Sequence, residues 1–132
     1  MDDWRALVRH MIAAMRIEGD VRVRRVRMPR SGNHGKTSLK PETGRITVTI
    51  NADDDPAVQV DTLDHELAHA KEMAKWGCGG KSTKAERKRV EQLWQKYNPH
   101  GPTWGRYLAE AYRARLNYYE NVTARHTQDG GT

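Results

Sequence analysis

Between positions 65 and 69 the chain reads His-Glu-Leu-Ala-His. On an α-helix, residues four apart are separated by about 40° around the axis and about 6 Å along it, so His65 and His69 share a face. Two imidazoles so placed can converge on one tetrahedral Zn²⁺ at about 2.0–2.1 Å each. Glu66 follows the first histidine on the same edge of the helix. It lies too far round to be drawn into ligation, but it can reach water activated by the ion and take its proton. The same carboxylate can then pass that proton to a leaving amine. These residue types in this order predict zinc-dependent hydrolysis, with His65 and His69 as metal ligands and Glu66 as general base.

A catalytic zinc of this kind needs a third protein ligand and keeps one position open. A metzincin continuation is excluded, because Glu72 and Lys75 stand where its glycine and third histidine would be. His100 is the first candidate. It sits in the turn Asn98-Pro99-His100-Gly101-Pro102, just before a helix, where a side chain can be aimed back at the motif. Glu86 and Glu91 are rivals, since a carboxylate from a following helix can also complete such a site. His10 and His126 read as surface residues, as does His34, although its glycine loop keeps it in contention. Cys78 is the sole cysteine, which excludes an intrachain disulfide and a Cys-rich zinc knuckle, and it reads as a bystander.

The elements that must hold these groups follow from periodicity. Residues 2–17 are helical, with Leu7, Met11, Ala14 and Met15 on one face. A strand is expected over 21–28. Strands over 36–40 and 45–50 form a hairpin through Pro41-Glu42-Thr43-Gly44, with Ile46, Val48 and Ile50 facing the core. Asp55 as N-cap and Pro56 at the first position start the motif helix. Its buried stripe is Val60, Leu63, Leu67, Ala70 and Ala74, and it should end near Trp76 at Gly77. A basic helix over 82–97 and a last helix from Pro102 to about Glu120 complete the chain. The fold class is α+β, a small antiparallel sheet packed against helices. A single domain spans 1–123, and 124–132 is expected as a disordered tail.

Composition sets limits. The 132 residues carry a net charge of +6 and 30% charged side chains, with no apolar run long enough to span a membrane. The acidic start and the single cysteine predict a cytoplasmic protein. Arg22, Arg24, Arg25, Arg27 and Arg30 form one basic segment. Lys81, Lys84, Arg87, Lys88 and Arg89 form another, and together they fit a polyanionic partner such as nucleic acid or merely solvate exposed faces.

Thr62-Leu63-Asp64-His65-Glu66-Leu67-Ala68-His69-Ala70, followed by His100-Gly101-Pro102-Thr103-Trp104, resembles the SprT-like metallopeptidase domain. The resemblance covers roughly residues 45–112. It implies a zincin-like fold, zinc on His65, His69 and His100, catalysis by Glu66, and a protein or peptide substrate, including DNA-bound protein. This chain departs from the family in a longer gap between His69 and His100 and in having no C-terminal Cys-rich ribbon. Two other readings stand beside it. One is a regulatory peptidase of the ImmA/IrrE type that cleaves a repressor. The other is a non-enzymatic nucleic-acid-binding module with a structural zinc. For a peptidase, the 45–50 strand is the expected substrate edge, with Thr47 and Thr49 flanking the cleft. Trp104, Tyr107 and Tyr112 are expected in the core, Tyr107 also being the nearest candidate for an oxyanion donor.

Overall fold

The computed structural model describes residues 4–28, 33–78, 82–97 and 100–130, and the side chains of all of these except 77, 78, 95, 97 and 125–130. Its centre is β3 (Arg45–Asn51), where Ile46, Val48 and Ile50 are fully buried on one face. β2 (Gly35–Lys40) pairs antiparallel with β3 through the expected turn, whose Gly44 has φ +78. A side chain would strain that left-handed conformation. β1 (Val21–Val26) lies on the other side of β3 and runs parallel to it, giving the order β1-β3-β2.

The sheet is therefore mixed, where an antiparallel one was expected. β1 ends beside Asn51 and β2 begins beside Ile50, so both meet the same end of β3. Asn51 bonds to residues beyond both strand ends: its side-chain oxygen accepts from Met28 N at 3.1 Å, and its amide donates to Asn33 O at 3.2 Å. The most apolar strand takes the middle and the arginine-bearing one takes an edge, as exposure of edge strands favours.

Helices cover the core face of the sheet. α1 (Trp4–Met15) buries Leu7, Val8, Met11 and Met15, while Ala14 is exposed. α2 (Pro56–Met73) packs on β2 and β3 with Leu63, Leu67 and Ala70 fully buried and Val60 and Ala74 partly so. Asp55 holds the N-cap position but its side chain makes no capping bond. Gln59 stitches the turn instead, donating to Asp54 O at 2.8 Å. Past Met73 the helix widens into a π turn, Ala74–Cys78, instead of continuing as α-helix to Trp76.

α3 (Lys84–Tyr97) starts on a capping box. Glu86 N donates to the Thr83 hydroxyl at 3.1 Å, and Thr83 N donates to the Glu86 carboxylate at 3.2 Å. Arg87 then hangs this helix on the sheet, donating to Pro41 O at 2.7 Å and Ser82 O at 2.6 Å. α4 (Pro102–Gly130) packs along α2 and α1. It runs past the expected end at Glu120 and takes in most of the segment read as a disordered tail. No proline or glycine interrupts the chain between Glu120 and Gly130, and lengthening an existing helix escapes the cost of nucleation.

Candidate metal centre

His65 and His69 project from one face of α2 as their spacing requires, and the turn before α4 brings His100 to them. The three Nε2 atoms lie 3.2 Å (His65–His69), 3.1 Å (His69–His100) and 3.4 Å (His65–His100) apart. Bonds of about 2.0–2.1 Å at tetrahedral angles place donor atoms about 3.3 Å from one another. Three ring nitrogens turned on one point at that spacing fit a shared cation. Among the described residues they form a group able to hold a metal ion. One side of the group opens on a cleft of about 730 Å³ also lined by Gly35, Thr37, Glu66 and Trp94.

Two indoles wall the imidazoles. The Trp104 ring centroid is 4.7 Å from that of His100, 5.0 Å from His65 and 5.5 Å from His69, and its Nε1 donates to His65 O at 3.4 Å. Trp94 of α3 meets His69 edge-on at 5.0 Å. This apolar packing dehydrates His65 and His69, while His100 stays exposed. Burial, then the charges of His65 and His100, lower His69 from 6.5 to about 3, and burial followed by His100 lowers His65. His65 and His69 are thus biased towards the neutral form, the one that ligates a metal.

Glu66 is 5% exposed beside them. Burial pushes its carboxyl from 4.5 up to about 7, against the opposing pull of Thr37. The Thr37 hydroxyl donates to Glu66 O at 3.1 Å and lies 3.5 Å from the Glu66 carboxylate. Gly35 lets β2 come this close: a Cβ there would sit 2.6 Å from Thr62 Cγ2, 2.7 Å from Thr49 O and 3.4 Å from Glu66 Cγ.

The other sequence candidates fall elsewhere. Glu86 is committed to the capping box, and neither it nor Glu91 belongs to the metal-binding group. His34 lines the far wall of the cleft, its Nδ1 2.8 Å from Asp54. His10 is half-buried against Tyr118, and the side chains of Cys78 and His126 lie outside the described residues. Tyr107, expected as an oxyanion donor, is absent from the cleft lining and stacks on the Lys71 ammonium, 4.6 Å from its ring centroid. Lys71 follows His69 by two residues and so points to another side of α2. Trp104 belongs to the site and Tyr112 is exposed, so neither is simply core. Thr47 and Thr49 lie on a central strand and face away from the helices, so they do not flank this cleft. The edge strand at the site is β2.

Sequence reasoning missed Thr37, Gly35 and Trp94. Gly35 alone carried a signal, since an isolated glycine at a strand end often marks close backbone approach. Comparison with protein-family models, with curated proteins and with solved structures finds no match.

Proposed function

We propose that this chain is a zinc-dependent metallopeptidase of the SprT-like kind, with His65, His69 and His100 as ligands and Glu66 as general base. The observation that carries the reading is the triangle of Nε2 atoms, 3.1–3.4 Å on a side, opening on a cleft with Glu66 in its wall. Three ligands among the described residues, instead of four, support an open coordination over a closed structural one.

A zinc ion on these residues supplies Lewis-acid polarisation of a peptide carbonyl and a lowered pKa for water. Glu66, raised to about 7, sits where a carboxylate can both accept a proton and return it near neutral pH. Thr37 fixes its position through the 3.1 Å bond to the Glu66 carbonyl. The Gly35–Thr37 end of edge strand β2 borders the cleft, so an extended peptide can add to it and bring a scissile carbonyl past Glu66.

The decisive experiment is a metal analysis of purified protein beside a cleavage assay, with Glu66→Gln as control. The reading requires about one zinc per chain in both forms and cleavage only in the parent. Equal cleavage by the variant, or no zinc in either, defeats it. A nucleic-acid partner fits the outer face of the sheet, where Arg24, Lys36 and Lys40 ring a second cleft of about 450 Å³. The basic helix α3 fits it less well, because Arg87 is spent on backbone carbonyls.

A further inference from the structure

Glu72 has so far served only to exclude a metzincin, yet it is an expensive residue to bury on α2. It is 4% exposed, and its Oε1 has no hydrogen-bond partner among the described residues. Two neighbouring buried charges are answered: Asp64 by Arg115 at 2.8 Å, Lys71 by Glu110 at 2.6 Å. A carboxylate oxygen withdrawn from water with nothing to bind disfavours folding, and an interaction that the metal-free chain lacks would offset that cost.

A second orphan stands one turn back. His69 Nδ1 is also buried and without a partner. Glu72 follows His69 by three residues, which places both on one face of the helix. When Nε2 of a histidine binds a metal, Nδ1 carries the ring proton and is nearly always given an acceptor, most often a carboxylate, a carbonyl or water. Three neutral imidazoles around a divalent ion also leave two positive charges in a wall of indoles. Glu66 offsets one of them. Glu72, the next buried carboxylate along the helix, shares the face of His69.

We infer that Glu72 is a positioning residue of the metal centre, a buried carboxylate that accepts the Nδ1 proton of His69, directly or through one buried water, and offsets the charge of the ion. The inference rests on the metal-centre reading given above. It predicts effects of opposite sign. A residue kept for packing destabilises the fold when replaced; one kept for the ion burdens the metal-free protein and helps the loaded one.

The test measures zinc affinity by chelator competition and the melting temperature of chelator-treated protein, for the parent, Glu72→Gln and Glu72→Leu. Both variants should bind zinc roughly 10–100-fold more weakly. Their metal-free forms should melt at or above the parent temperature, with Leu, which removes acceptor and charge together, weakening zinc binding most. Unchanged affinity in both variants, or a metal-free melting temperature that falls in both, overturns the assignment. A parent that binds no zinc removes the metal centre itself, a result distinct from a parent that binds while the variants match it.

Discussion

The guanidinium of Arg115 lies 2.8 Å from the carboxylate of Asp64, the residue immediately before His65. Arg115 Nε adds contacts of 3.1 Å to both Asp64 oxygens, and the two side chains are only 10% and 6% exposed. Burial pushes the Asp64 carboxyl up while Arg115 pulls it back, and the same bonds raise Arg115 above its ordinary value. The bidentate geometry is that of an ion pair. It clamps α4, which begins just after His100, against α2, which carries His65 and His69. His100 is thus placed partly by a contact well along the helix from it.

Replacing Arg115 with Leu leaves Asp64 buried without its partner, and the expected loss is about 3–5 kcal/mol in urea unfolding. The double variant Asp64→Leu, Arg115→Leu should recover most of it. A loss below about 1 kcal/mol in the single variant would show that the clamp bears little load.

His100→Ala removes one corner of the nitrogen triangle and leaves two ligands on α2. Zinc content after dialysis against a weak chelator should fall to a small fraction of the parent value, with the fold retained by circular dichroism. Full occupancy in this variant would return Glu91 to consideration.

Gly35→Ala drives a methyl group into Thr62 Cγ2 and Thr49 O. Overpacking of this kind costs about 1–3 kcal/mol. Because the contact lies against Glu66, cleavage should fall by more than the stability loss explains. A variant with parental stability and activity would mean that β2 and α2 can separate freely here.

The metal-free protein should show an acid weakness whose sign is fixed by two groups. His69 is lowered from 6.5 to about 3, so the unfolded chain takes up a proton that the fold refuses, and stability is lost as pH falls from 6.5 towards 3. Glu66 is raised from 4.5 to about 7, so the fold keeps a proton that the unfolded chain releases, and stability is lost as pH rises through that window. Between 4.5 and 6.5 the two slopes oppose, with the lowering of His65 adding to that of His69 as pH falls below 6.5; below 4.5 only the histidine slope remains. Urea unfolding against pH in the presence of a chelator should therefore change little from pH 4.5 to 6.5 on account of this pair. In Glu66→Gln it should climb with pH there, by up to about 1.4 kcal/mol per unit. Parallel curves for the two proteins would contradict the assignment.

If nucleic acid is bound by the outer sheet face, affinity should fall steeply between 50 mM and 200 mM salt, as counterion release requires. Replacing Arg24 and Lys36 together should flatten that dependence, whereas replacing Lys88 and Arg89 on α3 should alter it less. The reverse ranking would move the interface to the helix.

Some of this was decided within single segments. The spacing of His65 and His69 fixes their common face wherever the helix sits, because a helical turn is a local property of the backbone. The alternation of Ile46, Val48 and Ile50 fixed which face of β3 is buried for the same reason, and the turn at Gly44 fixed the hairpin. What pairs with what was decided only in three dimensions. The parallel placement of β1, the choice of His100 over Glu86, the service of Thr37 to Glu66 and the clamp of Arg115 on Asp64 all join residues distant in the chain. Such contacts depend on how whole faces fit together, and a side chain's own type and neighbours carry no record of the surface it will meet.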